Sequence, residues 1–289
     1  MTVVTPANPA PPVSARRLRF RPGIRPGVYL AALVLFLLVL ATVAPHLFTG
    51  QDPLAVDSAQ TLRPPSAEHL LGTDENGRDV FSRIVFGTRT SLLLGFGAIA
   101  IALAGGGLLG VAAGLGNRFV ENLIMRFSDI GLAFPELLLA LVVITVAGSG
   151  TSNALIAIGV ANIPNYARVV RAQTLLIRRS SYVEAAHALG LSVPRVVLRH
   201  VLPNAVKPVL ILATIGVGSA LVAGSALSFL GLGTPPPEPE WGSMLSTARD
   251  FISRAWWYGL FPGVAITLTV ISVTVVGRAL RLRSEGRTW

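Results

Sequence analysis

The sequence predicts an all-α integral membrane protein with six transmembrane helices, and three observations carry that prediction. Of 289 residues, 52% are apolar and only 13% charged, with a mean hydropathy of +0.64, far from the composition of a soluble domain. A helix rising 1.5 Å per residue needs roughly 20 apolar residues to cross about 30 Å of hydrocarbon. Six runs meet that length, at about 28–48, 91–116, 121–148, 152–171, 206–231 and 257–280. The third observation is that arginines gather at the ends of these runs. The net charge of +10 therefore reads as membrane orientation, because no basic stripe interleaved with aromatic residues points to nucleic acid. The chain has no cysteine, which excludes disulfides, thiolate metal sites and cysteine nucleophiles.

The first run follows a Pro-rich, Arg-containing tail (residues 1–27). A cleaved signal peptide ending near Ala41 to Ala44 is the competing reading, but the run exceeds the usual apolar length of about 7–15 residues, so 28–48 reads as a retained anchor. An even number of spans places both termini on one side. Arg16, Arg17, Arg19, Arg21 and Arg25 precede the first span, Arg278, Arg281, Arg283 and Arg287 follow the last, and Arg168, Arg171, Arg178, Arg179, Arg195, Arg199 and Lys207 lie between spans four and five. By the positive-inside rule this side is cytoplasmic. The opposite side holds Arg63, Arg78, Arg83, Arg89, Arg249 and Arg254, the first four interleaved with Asp52, Asp57, Glu68, Asp74, Glu75 and Asp79. The predicted organisation is an extracytoplasmic loop over 49–90, a five-helix domain over 91–280 and a cytoplasmic tail over 281–289.

Within the extracytoplasmic loop, Asp74 to Gly77 is a turn-forming cluster, and Arg78, Asp79 and Arg83 are expected to pair over the membrane surface. A calcium loop counted from Asp74 fails, since its sixth and twelfth positions are Asp79 and Val85. In span two, Gly105, Gly107 and Gly110 spell a dinucleotide fingerprint without the strand it requires. The better reading is that Gly106, Gly110 and Gly114 form one small-residue face for close helix packing. Span three carries Arg126 and Asp129, spaced to pair with each other, and Glu136 after Pro135. Asn162, Pro164 and Asn165 interrupt span four. Glu136, Asn162 and Asn165 are therefore candidates for a hydrated pathway or a subunit interface, with simple kink packing as the alternative.

Residues 178–205 hold the most structured loop. Ser181 to Glu184 fits a capping box, Gly190 fits a helix terminator, Pro194 can open a second short helix, and Pro203 is expected to hold Leu202 extended. His187 and His200 lack a third ligand at metal-binding spacing and read as polar groups of an interface or a helix face. Beyond span five, Trp241, Trp256, Trp257 and Tyr258 are expected to form an interfacial aromatic belt. Lys207 follows no glycine-rich loop, so this chain supplies no Walker phosphate site, and any ATP chemistry belongs to a partner.

Three motifs carry a family resemblance. The stretch EAAHALGLSVPRVVLRHVLP (184–203) resembles the loop by which permease subunits of ATP-driven importers engage their ATPases, through Glu184, Ala185, Ala186, Gly190, Leu202 and Pro203. It departs from the usual isoleucine at His200, as does the dipeptide and oligopeptide branch. The segment from His69 to Arg83, continuing through Gly87, Arg89, Ser91 and Leu92, resembles a signature of the dipeptide, oligopeptide and nickel group. So does Leu227 to Gly233 followed by Pro235 to Gly242. Thr274 and Gly277-Arg278 depart from the Asn and Gly-Asp common in the family. The resemblance covers about residues 65–280.

It implies a type I ABC importer permease fold with a cytoplasmic coupling helix, in a bacterial cytoplasmic membrane, and a non-catalytic transport subunit without a cofactor. It also implies as partners a second, homologous permease, two ATPase subunits or domains and an extracytoplasmic binding protein. The expected cargo is a dipeptide or oligopeptide, with nickel or another small solute as the alternative. A self-sufficient secondary transporter or channel has no use for the 184–203 hairpin. The 69–83 segment reads either as a collar for the binding protein or as a structural loop.

Overall fold

The structure, a computed structural model, describes residues 26–284; the arginines at 16, 17, 19, 21, 25 and 287 lie outside these, as do the side chains of His187, Lys207 and Ser284. The described residues are helical, with one isolated bridge between Thr73 and Asp79 and no strand. Four segments are long and apolar enough to cross a membrane: α1 (Pro26–Val43), α2 (Val80–Leu115), the run Val193–Phe229 and α10 (Trp256–Ser284). A fifth exists if α3 (Arg118–Leu132) and α4 (Glu136–Ala147) count as one broken span. The expected sixth, α5 (Thr151–Arg178), has the length but is too polar to qualify among the described helices. Its Asn153, Asn162, Asn165, Arg168 and Arg171 break the apolar run.

Three departures from expectation shape the bundle. Span two begins at Val80 rather than 91, because the Asp79 carboxylate accepts from the Ser82 amide at 2.7 Å and caps the helix eleven residues earlier. At 36 residues, α2 is about 54 Å long and projects beyond a hydrocarbon core of about 30 Å. Span three bends by 97° between α3 and α4. Pro135 lacks the amide that would continue α3, and the Ala133 amide has already closed it on the Asp129 carbonyl. Finally, Pro203 does not hold Leu202 extended: Leu202 is helical at φ −59 and ψ −49. α7 (Val193–Val196) passes through a π-helical turn, Val197–Val201, into α8 (Leu202–Phe229), and the wider turn falls where the proline's missing donor would otherwise break the ladder.

The central contact is α2 against α5. A Cβ at Gly106 would stand 2.5 Å from the Tyr166 Cβ, at Gly110 2.5 Å from the Val170 Cβ, and at Gly114 2.6 Å from the Thr174 Cγ2. All three glycines are buried, so the small-residue face is the seam that lets the two backbones meet. Around it a core of Leu94, Ala98, Ile99, Ala140, Ile144, Ile158, Val170, Val217 and Leu221 joins α2, α4, α5 and α8.

At the opposite end from residues 181–201, a collar closes over the start of α2. α8 stops at Gly231 (φ +80), where the Leu232 amide reaches the Leu227 carbonyl and the Gly231 amide the Ser228 carbonyl, a glycine-terminated helix end. The chain then enters α9 (Trp241–Ala248). The aromatic belt is corrected here. Trp241 is 0% exposed, and its Nε1 donates to the Ile84 carbonyl; Trp257 is buried and donates to the Thr73 carbonyl; Tyr258 is buried as well. Only Trp256 of the four is exposed. Indole donors buried with carbonyl partners hold loop to helix, which a lipid-facing belt would not do.

Candidate functional site

The 181–201 hairpin is built from its own termination signals. α6 (Ser181–Ala188) starts one position earlier than a Ser181 cap requires, since the Val183 and Glu184 amides both bond the Ser180 carbonyl. Ser180 Oγ turns back to the Ile177 carbonyl at 2.5 Å, and no Ser181–Glu184 capping box is present among the described residues. Ser180 is the junction because its own amide also closes the end of α5 on Ile177. α6 ends at Gly190 with φ +80, and the Leu191 amide reaches the Ala186 carbonyl at 3.2 Å, the long bond of a Schellman end. Pro194 stands in the first turn of α7.

The hairpin has two faces. Val183, Ala186, Val196 and Val201 are buried together against Leu115 of α2, Ile177 of α5 and Leu191, and Arg178 Nη1 donates to the Gly114 carbonyl at 3.2 Å. Glu184 and Ala185 are exposed, Ala186 faces inward, Gly190 is exposed, Leu202 is half-buried and Pro203 exposed. The outer face also carries Tyr182, Val193, Leu198 and Leu189, the last 82% exposed. These four large apolar side chains were not singled out from the sequence, although their spacing from the buried Val183 and Ala186 encodes the outward face.

Within the bundle, Asn162 Nδ2 donates to Glu136 Oε1 at 2.8 Å and to the Ile158 carbonyl at 3.0 Å. The structure thus joins two of the three intramembrane candidates and leaves Asn165 exposed and apart. The amide orients a carboxylate that begins α4, where the helix dipole favours negative charge. The Arg126–Asp129 pair expected within α3 does not form. Asp129 instead meets Arg168 of α5 at 2.5 Å, and Glu121 meets Arg171, whose Nε donates at 2.9 Å. Cross-helix partners win because α3 lies across α5, with Gly131 against Pro164.

The collar charges are paired, but Arg78 and Arg83 meet Asp74 rather than Asp79, which meets His69, and the pairs are buried rather than spread over a surface. Asp74, 0% exposed, accepts from the Asn76 and Arg78 amides at 2.9 Å each and from Arg78 Nε at 2.7 Å. His69 Nδ1 lies 3.0 Å from Asp79 Oδ1. Arg83 Nη1 donates to the carbonyls of Pro53 and Pro237, at 3.1 and 3.2 Å, tying two distant loops to α2. Glu240 belongs to the Pro235 to Gly242 motif but was given no role of its own from the sequence. Its carboxylate accepts from the Gly242 and Ser243 amides at 2.8 Å each and from Ser91 Oγ at 3.2 Å, and burial pushes it above the ordinary carboxylate value. The legible signal was an acidic residue directly before a helix start.

The profile of binding-protein-dependent transport system inner membrane components matches residues 106–288. The chain is similar to the dipeptide transport system permease protein DppC of Alkalihalophilus pseudofirmus, 43% identical over 244 residues, covering 84% of this chain and 80% of that protein. It is also similar to the di/tripeptide transport system permease protein DppC of Pseudomonas aeruginosa, 41% identical over 266 residues, covering 90% and 86%. Among solved structures it is similar in fold to a chain of an inward-facing MetNI methionine ABC transporter, with TM-score 0.57 and 20% identity over 69% of this chain and 95% of that one.

Proposed function

This chain belongs to the family of binding-protein-dependent transport system inner membrane components, and on that premise we propose that it is one of two permease subunits of an ABC importer for short peptides. Relatives named for dipeptide and di/tripeptide transport support that cargo over nickel. ATP hydrolysis belongs to two ATPase partners, and an extracytoplasmic binding protein delivers the peptide. The arginine distribution supports a cytoplasmic side for the hairpin and both termini. The observation that carries the coupling reading is the two-faced hairpin: one face packs on the ends of α2 and α5, and the other leaves Tyr182, Ala185 and Leu189 exposed, a surface suited to an ATPase groove.

When ATP draws the ATPases together, a hairpin seated in them moves as a rigid body and takes α2 and α5 with it, opening the path on one side and closing it on the other. Glu184, exposed in the first turns of α6, adds a charge to that contact. Glu136 and Asn162 line the path on this reading, with Asn165 at its margin. The test is uncoupling. Gly190→Pro cannot adopt φ +80, and Ala185→Phe fills the outer face; both are expected to abolish peptide uptake by the reconstituted importer while ATP hydrolysis persists. Wild-type uptake in both variants refutes the coupling role.

A further inference from the structure

The collar encloses a cleft of about 400 Å³ between the 74–78 turn, the Pro236–Pro237–Glu238 segment, Ser243, Met244 and Thr247 of α9, and Tyr258 of α10. That volume lies within the range of about 300–1,000 Å³ that holds small ligands. One wall is made by the buried Met244 and Tyr258, the Tyr258 hydroxyl lying toward Glu75; the other carries Glu75, Arg78, Arg83 and Glu238. The polar wall is incompletely satisfied. Glu75 Oε1 accepts from Arg78 Nη2 and Asn76 Nδ2, each at 2.8 Å, whereas Glu75 Oε2 is buried with no hydrogen-bond partner. Arg83, its side chain 5% exposed, holds Nε 3.4 Å from Asp74 Oδ2, which is ion-pair distance without hydrogen-bond geometry. Glu75, Glu238, Arg78 and Arg83 line the cleft and Asp74 pairs with both arginines beneath it, so three carboxylates meet two guanidiniums and this group carries one net negative charge.

A buried carboxylate oxygen without a donor is costly to desolvate, and here it lines a cleft with room for a molecule that could supply one. An ammonium group fits the vacancy, since it carries three donors, no acceptor and the compensating charge. We propose that the collar cleft binds the free ammonium end of a short peptide, with Glu75 Oε2 accepting from it, Glu238 adding charge at the rim, and Met244 and Tyr258 flanking the first side chain. This rests on the peptide-import reading, and it gives the permease its own contact with cargo near the point of delivery.

The test uses the assembled importer in lipid nanodiscs without its binding protein, titrated with dialanine and with N-acetyl-dialanine, which lacks the ammonium group. The wild type is expected to bind dialanine at least about ten-fold more tightly. Glu75→Gln, which keeps Oε1 as an acceptor, should remove that preference, and the exposed Glu238→Gln should reduce it without affecting assembly. Equal binding of the two probes overturns the proposal, as does a preference unchanged in both variants or dialanine binding that needs the binding protein. Should Glu75→Gln fail to assemble, Glu238→Gln decides. Uptake measured in parallel with the binding protein present separates the two readings: uptake without an ammonium preference overturns the cleft alone, and preference without uptake overturns the cargo alone.

Discussion

Replacing Gly110 by alanine adds one methyl group where α2 crosses α5, and that methyl has no room. Its carbon would lie 2.5 Å from the Val170 Cβ and 2.6 Å from the Ala167 carbonyl oxygen, against about 3.5–4.0 Å for unstrained carbon contacts. One obstacle is backbone and the other the root of a β-branched side chain, so neither rotates away, and the helices must part by about 1 Å along the seam. Overpacking of this kind costs about 1–3 kcal/mol, and a contact with backbone belongs at the upper end. Alanine returns up to about 1 kcal/mol of helix propensity over glycine, leaving a net loss of about 2 kcal/mol. Gly107 is the internal control. A Cβ there meets nothing within 4 Å, so Gly107→Ala keeps the propensity gain, about 1 kcal/mol, without the clash. The two substitutions, three residues apart in one helix, should therefore move stability in opposite directions. Unfolding the purified chain with dodecyl sulfate in mixed micelles, followed by circular dichroism, measures both midpoints. If the two variants shift the same way, or Gly110→Ala unfolds at or above the wild-type midpoint, the close-packed seam is not what holds α2 to α5.

Arg83→Met strips donors from the Pro53 and Pro237 carbonyls and leaves Asp74 with Arg78 as its remaining guanidinium. Breaking a buried pair costs about 3–5 kcal/mol, and the surviving partner favours the lower figure; a thermal midpoint equal to wild type would contradict the clamp. Burial raises the Glu240 carboxyl above its ordinary value of 4.5, so the folded state holds that proton more tightly than the unfolded one. Stability attributable to Glu240 is then greatest at low pH and declines as pH rises from 4.5 to the raised value. Glu240→Gln should flatten that decline in midpoints measured across pH, and parallel slopes would count against it. Because the chain has no native cysteine, single cysteines at 136, 162 and 165 can be labelled cleanly by a charged maleimide. Labelling is expected to be fastest at 165, which is exposed, and failure of all three to react in either transport state would exclude a hydrated path.

What was legible in the sequence is what depends on local chemistry. Gly190 and Pro194 announce a helix end and a helix start through local backbone rules, and Gly106, Gly110 and Gly114 announce a seam by spacing alone. What misled was polarity read without partners. Arg83 and Arg89 hid the first turns of α2 because a charge in an apolar run looks like its end, whereas Arg83 is buried against Asp74 and two carbonyls. The tryptophans looked like membrane anchors because sequence does not say whether an indole faces lipid or a carbonyl. The outer face of the hairpin lay in between. The alternation of Tyr182, Ala185 and Leu189 with Val183 and Ala186 is written in the sequence, but which set faces the bundle depends on Leu115 and Ile177, far away in the chain.

The packing also determines what a displaced hairpin would carry with it on the proposed reading. Its inner face is fused to Leu115 and Ile177, and Arg178 holds the Gly114 carbonyl, so the ends of α2 and α5 follow it. The glycine seam leaves no slack between those two helices. At the far end of α2, Ser91 holds Glu240 and Trp241, and Ile84 holds the Trp241 indole; the collar is therefore tied to the same body. The α3–α4 segment is attached differently. Its polar links to α5 are the exposed Asp129–Arg168 pair, the half-exposed Glu121–Arg171 pair and the single Glu136–Asn162 hydrogen bond, and solvent-exposed pairs contribute only about 0–1 kcal/mol, whereas Ala140 and Ile144 hold α4 in the shared core. With a 97° break at Pro135 between them, α3, which buries Ser128 alone among its described residues, is held less firmly than α4. On that reading a movement entering at Leu189 would reach the collar through α2 and meet less resistance at α3, before the break at Pro135, than at α4.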